Sequence, residues 1–255
     1  MARRGWGANL IAGADIAIEQ ARRPHDGPVH VACPHDVLHA RPSPSGRSEP
    51  PITRARIIDA AVALLDEEGL ERLTMRRLAQ RLGTGSTTLY WHLDTKDDVI
   101  DLAVDAIFGE TPIPKRHSED WRADLTTLLT EWRTTLLRHP WTAGLAANRR
   151  PLLGPNFLAW MEFLRATLVR AGLVDPHVSA ASWALVSHVA GSAASESSLR
   201  LSEADIRASE ELVAAQSDRY PTLAQGGYLA GSDWAANFEN GLTYLLDGLG
   251  AHLQR

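Results

Sequence analysis

Arg72, Arg76, Arg77, Arg81 and Lys96 share a short stretch whose only acid is Asp94, giving residues 72–96 a net charge of +4. Cations at that density neutralise phosphates and release the counterions condensed on a nucleic-acid duplex. The same stretch holds Ser86, Thr87 and Thr88. Small hydroxyls of this kind hydrogen-bond base edges when a helix presents them to a major groove about 12 Å wide. Residues 51–100 as a whole carry seven Lys or Arg against eight Asp or Glu, so the acids must point away if the basic stretch is to meet phosphates. The plain alternative is a helical hairpin with a solvated charged face.

Other chemistries find less support. A helical hydrolase would need His188 and Glu196 as its polar pair, but no nucleophile motif, glycine-rich phosphate loop or paired His-x-x-x-His accompanies them. His25, His30, Cys33, His35 and His39 lie close together near the start of the chain. They lack the cysteine pair and spacing of a closed zinc site, so they read as solvated side chains. No metal, cofactor or catalytic activity is expected. The net charge of −5 over 255 residues excludes a globally basic coat, and the single cysteine excludes an internal disulfide. No apolar run approaches the ~18 residues of a membrane span. The expectation is a soluble cytoplasmic protein without membrane contact.

The elements that position these residues are helices. Seven of the fourteen prolines fall in residues 24–51, and residues 1–50 read as a disordered tail with too little apolar surface to offset its chain entropy. From Thr53 the period turns helical, with Ile57, Ala61, Leu64 and Leu65 on one face and Gly69 as the stop. Thr74 caps a second, short helix that turns Leu78 and Leu82 inward and leaves Arg76, Arg77 and Arg81 outside. Gly83 and Gly85 bracket a turn, and a third short segment follows from Ser86. Thr95 and Asp98 form a capping box for a fourth helix, closed by Gly109, Pro112 and Pro114. Two short helices about a glycine turn, over residues 74–93, are the skeleton of a helix-turn-helix.

The run Thr53-Arg54-Ala55-Arg56-Ile57-Ile58-Asp59-Ala60-Ala61, then Glu68-Gly69-Leu70, Leu73-Thr74-Met75-Arg76-Arg77-Leu78-Ala79, Leu82-Gly83, Leu89-Tyr90-Trp91-His92 and Lys96 closely resembles the DNA-binding domain of the tetracycline-repressor family. The resemblance covers residues 52–108 without a gap. It implies that Thr74 and Arg76 touch DNA from the second helix, and that Ser86, Thr87 and Thr88 begin the recognition helix. It further implies that Tyr90, Trp91, His92 and Lys96 hold the phosphate backbone. Thr84 stands where the family usually has an apolar residue, and Thr87 replaces a proline of the tetracycline repressor itself, so no operator sequence is borrowed.

Residues 111–255 show further helical stretches and no strand-like alternation, so the fold class is all-α. A three-helix helix-turn-helix domain at residues 51–110 precedes a larger helical body for ligand binding and dimerisation. Ala180, Ala184, Ser187, Gly191, Ala194 and Ser198 form a stripe of small side chains, and Trp234, Phe238, Leu242, Leu245 and Leu249 an apolar stripe. By themselves both fit intramolecular core. The resemblance implies that they pair with a second subunit, giving a homodimer whose two recognition helices meet a palindromic operator. Trp121, Trp132, Trp141, Trp160 and Trp183 are an unusual stock of amphipathic rings, suited to core or to a roomy pocket. Asn148, Asn156, Trp160, Trp183, His188 and Glu196 are the candidate ligand contacts. The His-Leu-Gly-Thr segment of the tetracycline repressor's drug site is not found, so tetracycline is not implied. The reading is a ligand-responsive dimeric repressor of double-stranded DNA, released by a small-molecule inducer. The rivals are a helical small-molecule-binding module or an enzyme without a DNA role.

Overall fold

Capping side chains set most of the helix starts. In the computed structural model, which describes residues 52–91, 93–145, 154–199, 202–226 and 233–254, the described elements are all helical. The stretch expected to be a tail, with its histidines, lies outside them. Helix α1 (Arg54–Glu68) starts where the Thr53 hydroxyl accepts from the Arg56 N–H at 3.3 Å, and ends at Gly69, whose φ of +79° favours glycine. Helix α2 (Met75–Arg81) starts at Thr74, which accepts from the Arg77 N–H at 3.2 Å. Helix α3 (Ser86–Tyr90) follows a turn in which only Gly83 has positive φ, and helix α4 (Lys96–Gly109) opens on the reciprocal Thr95–Asp98 capping box. Leu64, Leu65, Leu78 and Leu89 join these helices through one buried core.

Helix α4 is buried on two sides. It packs on α1, and it also packs on α5 (Trp121–Arg138) and α6 (Pro155–Arg170). Asp120 caps α5, a 3-10 turn at Pro140–Gly144 follows it, and α6 closes before Gly172. Helix α7 (His177–Ser198) starts after Pro176 and packs on α5, α6 and α10 (Trp234–Leu253). Asp233 caps α10 by accepting from the Ala236 N–H at 3.0 Å. Between them, α8 (Glu203–Ala214) opens on a Ser202–Asp205 capping box and is followed by α9 (Pro221–Gly226). No residue of α8 is buried.

The two stripes resolve differently. Helix α7 turns Val178, Ala181, Leu185, Val189 and Ala193 into the core, leaving Ala180, Ala184, Ser187, Gly191 and Ser198 exposed and Ala194 half-buried. The small-residue stripe is thus an outer surface of the single chain. On α10 the buried line is Phe238, Leu242, Leu246 and Gly250, while Trp234, Leu245 and Leu249 are half-buried.

Candidate nucleic-acid interface and ligand cavity

Leu89 fixes α3 with no exposed surface, while the residues around it face outward. Thr87 and Thr88 are exposed, Ser86 is half-buried, and Tyr90 and Trp91 are 52% and 85% exposed. An indole that open to water is available to lie against a nucleic-acid backbone. Thr74 is exposed, and while its oxygen accepts from the Arg77 N–H its O–H can still donate to a phosphate oxygen. Arg76 is exposed without an ion-pair partner among the described residues. His92 lies outside the described residues.

The basic stretch is less free than its composition suggests. Arg77 pairs with Glu68 at 2.5 Å, and Arg81 donates to both carboxylate oxygens of Glu67 at 2.5 and 2.6 Å. The Arg81 guanidinium holds the Glu67 carboxyl below its usual range, and the same bond raises Arg81. Lys96 donates from Nζ to the Leu70 carbonyl at 2.9 Å. Two of the five cations are therefore neutralised by acids of α1, and a third is tied to the backbone, leaving Arg72 and Arg76 the freest. This corrects the picture of an open +4 patch.

A cavity of about 570 Å³ lies among α4, α5, α6 and α7. Phe108, Trp132, Phe157, Trp160 and Trp183 line it together with aliphatic side chains, and Trp183 is 70% exposed at its edge. The Phe108 ring stands 5.5 Å from Trp132, 5.2 Å from Phe157 and 5.4 Å from Trp160, and the two indoles are 4.6 Å apart. Nε1 of Trp132 and of Trp160 are buried with no acceptor. Such a group typically costs about 1–3 kcal/mol.

Of the ligand candidates read from the sequence, Trp160 and Trp183 come together on this cavity. The others have partners elsewhere. Asn156 donates to Asp105 at 3.1 Å and lines a separate crevice beside α1 and α4. His188 bonds through Nε2 to the Phe238 carbonyl at 3.0 Å and stacks on that ring. Glu196 pairs with Arg133. Asn148 lies outside the described residues. Phe108 and Phe157 are lining residues that sequence reasoning did not single out, and Trp132, which the sequence left open between core and pocket, lines the cavity as well. Trp132 shares its helix face with Leu125, Leu128 and Leu136, which gives it the signature of core.

Two polar clusters lie beside the cavity. Between the lining residues Val104 and Phe108 of α4, Asp105 is buried, accepting from the Phe157 N–H at 2.9 Å as well as from Asn156. Gly154 lets it approach, since a Cβ there would stand 2.1 Å from the Asp105 Cγ. Just past the C-terminal end of α4, the buried His139 ring faces Asp66 of α1 at 2.7 Å and Glu110 at 3.1 Å, and the Trp141 indole donates to Asp66 at 2.8 Å. These bonds join α6 to α4, and α1 to the turn that follows α5.

Residues 57–103 match the family described as bacterial regulatory proteins, tetR family, and residues 113–253 match the tetracyclin repressor-like C-terminal domain. An HTH-type transcriptional regulator of Saccharopolyspora erythraea is 45% identical over 214 residues, 83% of this chain and 90% of that relative. The HTH-type transcriptional repressor DrrR1 of Streptomyces coeruleorubidus is 33% identical over 224 residues, 81% and 80% of the two chains. Among solved structures, ActR of Streptomyces coelicolor in complex with actinorhodin is similar with a TM-score of 0.74 at 30% identity, over 81% of this chain and all of that one.

Proposed function

The chain belongs to the tetracycline-repressor family of bacterial regulators, and from that premise we propose how its residues carry out the work. It is a ligand-responsive, DNA-binding transcriptional regulator of the repressor type. The recognition face is α3, with Ser86, Thr87 and Thr88 toward base edges. Thr74, Arg76, Tyr90, Trp91, His92 and Lys96 serve the phosphate backbone. The effector site is the aromatic cavity, and the observation that carries this reading is its wall of α4 residues, because α4 also packs on α1. A bound small molecule selects a position of α4 in which the two recognition helices no longer fit half-sites ~34–36 Å apart.

Two recognition helices require two chains, and the exposed small-residue stripe of α7 together with the outer face of α10 is the surface we assign to a homodimer. Among the described residues no helix is long and apolar enough to cross a membrane. We place the protein in the cytoplasm with its operator DNA. Its relatives are transcriptional regulators, and we read this chain likewise as having no catalytic role. Gel-shift titration against the DNA upstream of its own gene is the direct test. Specific retardation is expected, and its absence on that and on genome-selected fragments would sink the reading.

Positioning and base reading separate experimentally. Arg76→Ala should weaken binding to all sequences alike and reduce the salt slope by about 0.9 per subunit, one phosphate contact. Lys96→Ala should do the same and also lower the melting temperature, because it frees the Leu70 carbonyl. Thr88→Ala should relax preference at one position of each half-site by up to ~1–3 kcal/mol. Binding across a randomised operator library at two salt concentrations reads all three. Altered base preference in Arg76→Ala with an unaltered one in Thr88→Ala would reverse the assigned docking.

A further inference from the structure

His139 ends α5 beside the DNA-binding helices and is 7% exposed. Both of its ring nitrogens face carboxylate oxygens. Nδ1 stands 2.7 Å from Asp66 of α1, and Nε2 stands 3.1 Å from Glu110, which follows α4. The Trp141 indole donates to the same Asp66 oxygen, and the Arg138 guanidinium lies 3.4 Å from the same Glu110 oxygen. Asp59 of α1 is the other charged side chain on the crevice that Asp66, Glu110 and His139 line. An ionised carboxylate only accepts, whereas a neutral imidazole offers one N–H and one lone pair. The arrangement is therefore complete only when the ring carries both protons. A cation also suits this place because it caps the negative end of the α5 dipole.

We propose that His139 is a positioning residue for operator binding, a doubly protonated ring that braces α1 and the end of α4 against α5 and opens that brace when it loses a proton. This rests on the reading of the helix-turn-helix as the operator-binding element. Loss of the Nε2 proton to water sets a lone pair against Glu110, while Nδ1 keeps its shorter bond to Asp66. The end of α4 then loses this tie to α5. Two half-sites are met only by two recognition helices held in one pose. A loosened α4 lowers the fraction of chains in that pose, and the apparent affinity falls with it.

Gel-shift titration of the full chain on the DNA upstream of its own gene, at about pH 6 and about pH 8, spans the range in which histidine changes charge. Wild-type affinity should fall by about tenfold across it, the worth of one hydrogen bond to a charged group. Glu110→Gln should match the wild type at the lower pH and keep that affinity at the higher. Its amide donates to the neutral ring, and its carbonyl accepts from the charged one. His139→Gln should bind weakly at both. Any slope from the other histidines is common to all three chains, so the differences between them carry the result. Should His139→Gln fail to fold, the wild type and Glu110→Gln still decide. Nitrogen NMR of the His139 ring reads the brace without DNA. Both nitrogens should carry protons at about pH 6, and Nε2 alone should have lost its proton by about pH 8. A ring neutral at both, a ring charged at both, or parallel pH profiles for the wild type and Glu110→Gln would overturn the proposal. A ring that titrates as described in a chain that retards no DNA at either pH would instead remove the operator-binding reading, and with it the role given to the brace.

Discussion

Asp105→Ala should lower the melting temperature by about 6–12 °C, from a loss of roughly 3 kcal/mol in a chain of this size. The carboxylate is buried and satisfies two donors at the start of α6, the Phe157 N–H at 2.9 Å and the Asn156 amide at 3.1 Å. Alanine leaves both donors without an acceptor and removes a negative charge from a helix N-terminus, where it is favourable. Gly154→Ala should be damaging for a different reason, since its methyl would stand 2.1 Å from the Asp105 Cγ. Overpacking of this kind costs about 1–3 kcal/mol. The two losses must not add. Alanine at position 105 removes the carboxylate that the methyl at 154 would strike, although its own Cβ still stands 2.7 Å from that methyl, so the double variant should lose less than the sum of the two but more than Asp105→Ala alone. A double-mutant cycle in urea measures that coupling. Additive losses would mean that the α4–α6 contact is not built as described. Because Phe157 also lines the cavity, the same substitutions should blunt release of DNA by an effector more than they change operator affinity in its absence.

Local signals were legible in the sequence and long-range partners were not. Thr53, Thr74 and the Thr95–Asp98 pair announce their helices because capping involves residues at most three apart. The ion pairs of Arg77 and Arg81 depend on how α2 packs against α1. The partner of Arg81 is fourteen residues back, and a charge count over residues 72–96 ignores it. The same limit applies to the cavity. Asn156, His188 and Glu196 are polar residues on helices of the body, which makes them candidates for a ligand. Yet Asp105, the Phe238 carbonyl and Arg133 already engage them. Helical period gives the face a residue occupies but not whether the protein itself satisfies it. Trp132 stood open between core and pocket. Its period is that of core, and only the space left between α5 and α6 distinguishes a lining indole from a packed one.

The small-residue stripe carries the last expectation. Gly191 and Gly248 are exposed helical residues, and a Cβ at either meets nothing within 4 Å in the single chain. A larger side chain there is therefore harmless to the chain's own packing, and replacing glycine inside a helix gains up to about 1 kcal/mol. Loss of assembly in Gly248→Leu or Gly191→Leu must then arise from a partner. Both variants should keep full helicity, while the mass in solution falls from about twice the 27.9 kDa of the chain to that of one chain. Operator affinity should fall by about 10²–10⁴-fold, because the second half-site contact ceases to be intramolecular. Gly191 also lines the cavity, so Gly248→Leu is the cleaner test of assembly. Sedimentation at micromolar concentration and gel-shift titration read the two effects. A wild type that sediments as a single chain would remove the dimer, and variants that keep double mass and full operator affinity would move its interface away from this stripe.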